Sequence, residues 1–388
     1  MAESKLAAEM SRRVRLVLAL VGLLIVSACT ASPAPSTGSD RTLDWSAVAL
    51  PDGLIPSSLA LAGETLLVGG RSTAGGEHPG MVAVTADGAV TPLALKPTSP
   101  YAKIADLSSL ATDGRTVYAL GRAHGGAHSN FRWTTWQGST TDGLVEYPQS
   151  FYTFGGWEAG GLLDVVQTSD GPAIAGSWSS ADGTGLDAAV WRLTGTLWKR
   201  ESSAGTPLAN TREVQVAPRA AAGNGSTMII SGSVITFPDG VQQSAAVWTR
   251  SGAMARWQLV RLPEPGKTSE ALSVACAEGC WVAGHADGQV ALWRLPASGG
   301  AGRESGLPAQ PVEVDGPGPR AIVAQGRPGV LSSSGGKTTL LLLGDGGWTT
   351  IAGPDGTVQD ASVRGDRLYA AIGDGVQTRL WVAPLRAS

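Results

Sequence analysis

The chain has 388 residues, enough for one large core or two ordinary ones, with 53 glycines, 43% apolar residues and only 16% charged residues. That apolar share excludes a disordered chain. A net charge of -3 with no basic stripe argues against a nucleic-acid partner. Arg outnumbers Lys, and Ala and Gly abound, a composition expected of a GC-rich genome.

The first element is an export signal. Arg12, Arg13 and Arg15 form a positive start, and Leu16 to Val26 is an unbroken apolar run. The run is too short to span a bilayer, which takes about 20 residues, but it suits a signal-peptide core. It ends in Val26-Ser27-Ala28-Cys29. These residues resemble the lipobox of bacterial lipoproteins: aliphatic, small, Ala or Gly, then Cys. The resemblance implies cleavage before Cys29, a lipid on its sulfur, and attachment to the outer face of the cell membrane. A plain secretory signal with an incidental cysteine is the alternative. Met10 is an alternative start, and Ser11-Arg12-Arg13 leaves the twin-arginine route open beside the general one. Residues 1–28 are thus read as signal peptide, and 29–42, rich in Ser, Pro and Thr, as a flexible tether.

From residue 43 onward short β-rich runs recur, and they form a repeat. An apolar strand turns into a second apolar strand ending at Gly, a loop follows, and two strands carrying Trp complete the unit. The clearest copies are Ala173–Trp178 with Ala188–Glu201, Met228–Val234 with Ala245–Val260, and Cys280–Gly288 with Val290–Pro296. Weaker copies begin at Leu66, Val117, Pro328 and Leu368, which makes seven. Each unit then has about 49 residues, and a four-stranded propeller blade takes roughly 40 to 50. The expected fold is therefore all-β: a seven-bladed β-propeller of four-stranded antiparallel blades over residues 43–388. Its tryptophans (Trp191, Trp198, Trp248, Trp257, Trp293, Trp348 and Trp381) pack between blades. The last unit lacks a fourth strand, and Leu43–Val48 looks like one, so the N-terminal strand is expected to close the ring. The units resemble kelch repeats, which implies a propeller and no particular activity; Gly69-Gly70 supplies the doubled glycine, while Gly121, Gly176, Gly232 and Gly284 stand singly.

With Cys29 assigned to lipid, Cys276 and Cys280 remain. They flank a hairpin turn, Ala277-Glu278-Gly279, and an exported chain meets an oxidising compartment, so a disulfide is expected. A zinc site would need a second ligand pair beyond His285, and none is present. No metal and no cofactor is expected.

No nucleophile elbow, HExxH, P-loop or EF-hand loop occurs. Gly344–Trp348 resembles the Asp-box of sialidase-type propellers only loosely, since Asp345 stands three residues before Trp348 where that motif has five, and it reads as a hairpin turn. In a four-stranded meander the loops from second to third strand share a face with the loops between blades. His78, His124, His128 and His285 fall in or beside such loops, together with Arg71, Arg122, Trp178, Asp182 and Asp287. Aromatics crowd between Phe131 and Trp157, and the connection carrying Phe151 and Tyr152 belongs to the same face; exposed rings there suit stacking on a sugar or peptide. These are the candidate ligand-binding residues, and packing of loop residues is the competing reading. Two functions follow as expectations. One is a binding or scaffold module at the cell surface, with an envelope protein, peptide or glycan as partner. The other is a glycan-active hydrolase or lyase, which would need paired carboxylates, for example among Asp164, Glu158 and Asp187.

Overall fold

Runs such as Ala188-Ala189-Val190-Trp191 are buried at every position. A strand buried on both faces needs a sheet packed against it from each side, and the computed structural model shows that arrangement. It describes residues 41–125, 130–238, 240–297, 300–313 and 316–385. The expected signal, the tether as far as residue 40, Cys29 and His128 lie outside them.

The described strands form seven antiparallel meanders. Blade one comprises Leu54–Ala62, Thr65–Ser72, His78–Val84 and Val90–Pro92. Blade two comprises Asp106–Thr112, Val117–Gly125, Asn130–Ser139 and Gly143–Glu146. Blade three has Ala159–Thr168, Gly171–Ser179, Leu186–Thr194 and Leu197–Arg200, and blade four Val214–Asn224, Thr227–Thr236, Gln242–Ser251 and Gln258–Arg261. Blade five has Ser269–Cys276, Cys280–Ala286, Gln289–Leu295 and Gly302–Arg303, and blade six Arg320–Ala324, Arg327–Ser334, Lys337–Gly344 and Gly347–Asp355. Blade seven takes Thr357–Arg364, Arg367–Gly373 and Thr378–Pro384 from the C-terminal end, and its outer strand, Ser46–Ala47, from the N-terminal end. The ring is closed as expected, by pairing Ser46 with Val382 and Ala47 with Trp381. Two features go beyond that expectation: Arg41–Thr42 adds a parallel strand to the rim of blade six, and Leu95–Lys96 adds one to the rim of blade two. No helix of the described residues is long and apolar enough to cross a membrane.

The seams between blades explain much of the repeat. In blades one to five and seven the first strand bulges by one residue, as between Pro56 and Ser58 or between Val358 and Asp360. In blades one, three, four and five the bulge brings a carbonyl against a glycine of the second strand, where a Cβ would not fit, whereas blade seven has Ile372 at that place. A Cβ on Gly232 would collide with the carbonyl oxygen of Ala217, and one on Gly284 with that of Glu270.

The residue after the bulge points into the next seam and satisfies a backbone amide there. Ser109 accepts the N–H of Val165 (3.1 Å), Asp164 that of Ala221 (2.8 Å), Ser273 that of Ala321 (2.8 Å), and Asp360 that of Leu59 (2.8 Å). Between blades one and two Ser58 instead donates to the carbonyl of Leu107 (2.7 Å). Blade four has Ala220 there, and an Arg219–Glu270 pair (2.8 Å) crosses its seam instead. Blade six has Arg320, which donates to the Gln359 carbonyl of blade seven (2.5 Å). All seven seams thus carry polar links, and buried backbone groups gain partners that a purely apolar seam would deny them.

The tryptophans do two jobs. Trp136, Trp191, Trp248 and Trp293 are fully buried between sheets. The last three also clip the connection that leads into their own blade: their indole N–H groups donate to the carbonyls of Thr153 (3.0 Å), Pro207 (2.9 Å) and Pro263 (2.9 Å). Trp348 and Trp381 are only half-buried, at the rim. Cys276 and Cys280 form a disulfide across the first hairpin of blade five, with Cα atoms 4.1 Å apart.

Candidate binding face

The loops from second to third strands and those between blades lie on one face of the ring, called here the upper face. Among the described residues, the large apolar side chains that stay exposed concentrate on it: Ile104, Phe131, Phe151, Tyr152, Trp157, Leu186, Phe237, Val241 and Val376. Leu197 and Met254 are the exceptions, on the opposite face. They come from the loops of blades two, three, four and seven and from the connections on either side of blade two.

The densest part lies where blades two and three meet. Phe151–Phe154 is a single helical turn within the connection between those blades. It buries Phe154 against Trp191 (5.8 Å between centroids) and leaves Phe151 and Tyr152 outside, Tyr152 at 77% exposure. Trp157 follows, fully exposed. In front of this turn is a cleft of about 210 Å³, lined by Tyr101, Phe131, Arg132, Trp133, Glu146 and Phe151 among others. The Arg132 guanidinium lies over both Phe151 (5.2 Å) and Tyr101 (6.0 Å). Glu146, buried at the back, accepts hydrogen bonds from the amides and hydroxyls of Thr98 and Ser99 at 2.6–2.8 Å, and so fixes the loop that carries Tyr101.

The other candidates share the upper face but not this cleft. Arg122 and His124 are neighbours of it: Arg122 pairs with Asp106 (3.4 Å) and lies over Phe131 (5.4 Å), and His124 stacks on Phe131 (4.2 Å). Arg71 pairs with Glu77 (2.6 Å), and the His78 ring is hydrogen-bonded to the Gly76 carbonyl (2.9 Å), both on blade one. Trp178 is buried, bonded to Glu158 (3.1 Å) and flanked by Trp191 and Arg200. Asp182 accepts the hydroxyl and amide of Thr184, and Asp287 the amides of Lys267 and Thr268; these bonds hold both carboxyls below the ordinary carboxylate range. His285 is half-buried on blade five, beside Asp287. The described histidines therefore share a face and belong to three separate blades.

Sequence reading missed Tyr101, Arg132 and Glu146 as parts of one cleft. Tyr101 arrives from the connection before blade two, and nothing in its neighbourhood signals the meeting. It also missed the inner seam residues, although the pairs Ser57-Ser58, Ser108-Ser109, Leu163-Asp164, Leu272-Ser273 and Gln359-Asp360 recur at one place in the unit. Extending the repeat to the first strand exposes them.

The inner carboxylates are committed to the ring. Asp164 accepts Ser109 and Ala221, and Asp360 accepts Leu59 and Ala361. Burial pushes both carboxyls above the ordinary range, against the pull of these amides and of Arg320. Glu270 takes Arg219 and Ser233, and the buried Asp187 takes Ser203 and the amide of Asn210.

The fold is a seven-bladed β-propeller, and most of the exposed large apolar side chains among its described residues lie on the upper face. No family model and no curated protein matches the chain. Among solved structures it is similar to a catalytically inactive virginiamycin B lyase from Staphylococcus aureus with quinupristin (11% identity, TM-score 0.54, 89% of this chain and all of that one). It is also similar to YCF48 bound to D1 peptide (10%, 0.52, 90% and all) and to the Pyrococcus horikoshii acylaminoacyl peptidase (11%, 0.51, 86% and 52%). At such identities the likeness is one of fold.

Proposed function

We propose that this chain is an exported lipoprotein, held to the outer face of the membrane through Cys29, that serves as a binding or scaffold module through the upper face of its propeller. The fold does not choose between functions, since the similar rings include a lyase, a peptidase and a peptide complex. The observation that carries the binding reading is the gathering of exposed apolar side chains on one face, densest around Phe151, Tyr152 and Trp157. A glycan hydrolase would need two carboxylates free to exchange protons with substrate. The described carboxylates nearest the inner strands are each engaged in seam or ion-pair bonds, which favours binding over hydrolysis.

Capture from envelope extracts tests the module. The wild-type chain should retain a reproducible partner, and a Phe151→Ser, Trp157→Ser variant should lose it. Retention unchanged in that variant, or no partner for either, would refute the reading. The anchor is tested separately: Cys29→Ala should move the chain from the membrane to the soluble fraction.

A further inference from the structure

We infer that the cleft between Tyr101 and Phe151 takes an acidic peptide segment, one carboxylate pairing with Arg132 while neighbouring apolar side chains enter among the rings. The inference rests on the binding reading above and names the ligand class.

Charge complementarity carries it. Arg132 is half-buried, lines the cleft, and is oriented by two aromatic rings that leave its charge uncompensated. Among the described residues no carboxylate lies within ion-pair distance of it. The two acids nearby are already engaged: Glu146 by Thr98 and Ser99, Asp106 by Arg122 and Ser57. A guanidinium between rings is partly shielded from water, so its attraction for an incoming carboxylate exceeds that of an arginine in open solvent.

Shape favours a peptide over a sugar. A pyranose needs an open, flat ring face. Tyr101 and Phe151 each have a face under Arg132, and Phe131 has its own under His124 and Arg122. What remains is a cleft of about 210 Å³ whose walls mix aromatic rings with polar groups such as Ser99, Thr134 and Gln149, suited to a peptide with apolar side chains beside an acid.

Calorimetry on the full-length chain tests this with two end-capped tetrapeptides, Leu-Asp-Phe-Leu and its Asn analogue. The acidic peptide should bind about tenfold or more tightly than the amide, and added salt should narrow the gap. Arg132→Gln should abolish the preference, while Arg132→Lys, which keeps the charge, should retain part of it. An unchanged melting temperature shows that Arg132→Gln still folds. Equal affinity for both peptides, a preference that survives Arg132→Gln, or binding of chitotetraose in place of either peptide would overturn the inference. So would no binding up to about 1 mM. In each of these cases envelope capture that still depends on Phe151 and Trp157 leaves the module reading standing; loss of capture dependence removes both.

Discussion

The carboxylate of Asp360 accepts the backbone N–H of Leu59 at 2.8 Å, linking the last blade to the first across 301 residues of sequence. The same device recurs at the seams headed by Ser109, Asp164 and Ser273. The ring is closed twice: outside by the N-terminal strand on blade seven, inside by this latch.

Asp360→Ala removes the latch and leaves a buried amide without an acceptor. The expected loss is about 1–3 kcal/mol. It should appear as a lower melting temperature and as faster hydrogen exchange at the Leu59 amide, while amides of blade four keep their protection. Uniform protection at Leu59 in the variant would contradict the role assigned to Asp360.

Burial holds the carboxyls of Asp164 and Asp360 above their ordinary value of 3.8. A native group with a raised pKa binds its proton more tightly than the unfolded chain does. Its contribution to stability is complete below the ordinary value and is lost as pH rises through the raised one. Denaturant titrations should therefore show these two groups favouring the folded state most in acid. Asp164→Asn removes its share of that slope and keeps both bonds, since an amide can accept from Ala221 and donate to Ser109. Asp360→Asn cannot do the same, because both carboxylate oxygens accept backbone N–H groups, from Leu59 and Ala361. Asp164→Asn should be the milder change at neutral pH; the reverse order would contradict the hydrogen-bond assignment.

Trp248 fills the space between blades three and four and holds the Pro207 carbonyl. Trp248→Phe keeps most of the volume and loses the bond, an expected cost of about 1–3 kcal/mol because the carbonyl loses its partner. Trp248→Ala adds a cavity and should cost about 3–5 kcal/mol. Chemical denaturation of the two variants separates clip from wedge: no loss in Trp248→Phe would mean that the clip contributes nothing, and equal losses that the wedge adds nothing to it.

The disulfide Cys276–Cys280 closes a loop with a sequence separation of only 4. Chain entropy allows about 2 kcal/mol for so short a loop. Cys276→Ser, Cys280→Ser should therefore still give the folded ring, with a modest drop in melting temperature. Loss of the native circular-dichroism spectrum in that variant would show a larger role than loop closure explains.

How much of this was legible before folding follows from where the signals sit. Periodic apolar strands, glycines at strand ends and spaced tryptophans are local, and they repeat. They were enough for the blade count and the all-β class. The missing fourth strand in the last unit foretold closure by Leu43–Val48, and the spacing of Cys276 and Cys280 on one hairpin foretold their bond. The shared face of the described histidines followed from strand parity alone.

What tertiary structure decided lies between units. Leu59 and Asp360, Ala221 and Asp164, or Tyr101 and Arg132 meet because neighbouring blades or connections are brought side by side, and no local pattern marks either partner for the other. Residues read from the sequence as sharing a face, such as His78, His124 and His285, belong to blades one, two and five. The physical reason is geometric: strand parity, a local property, fixes the face on which a loop emerges, whereas only the closed ring fixes the distance between loops on that face.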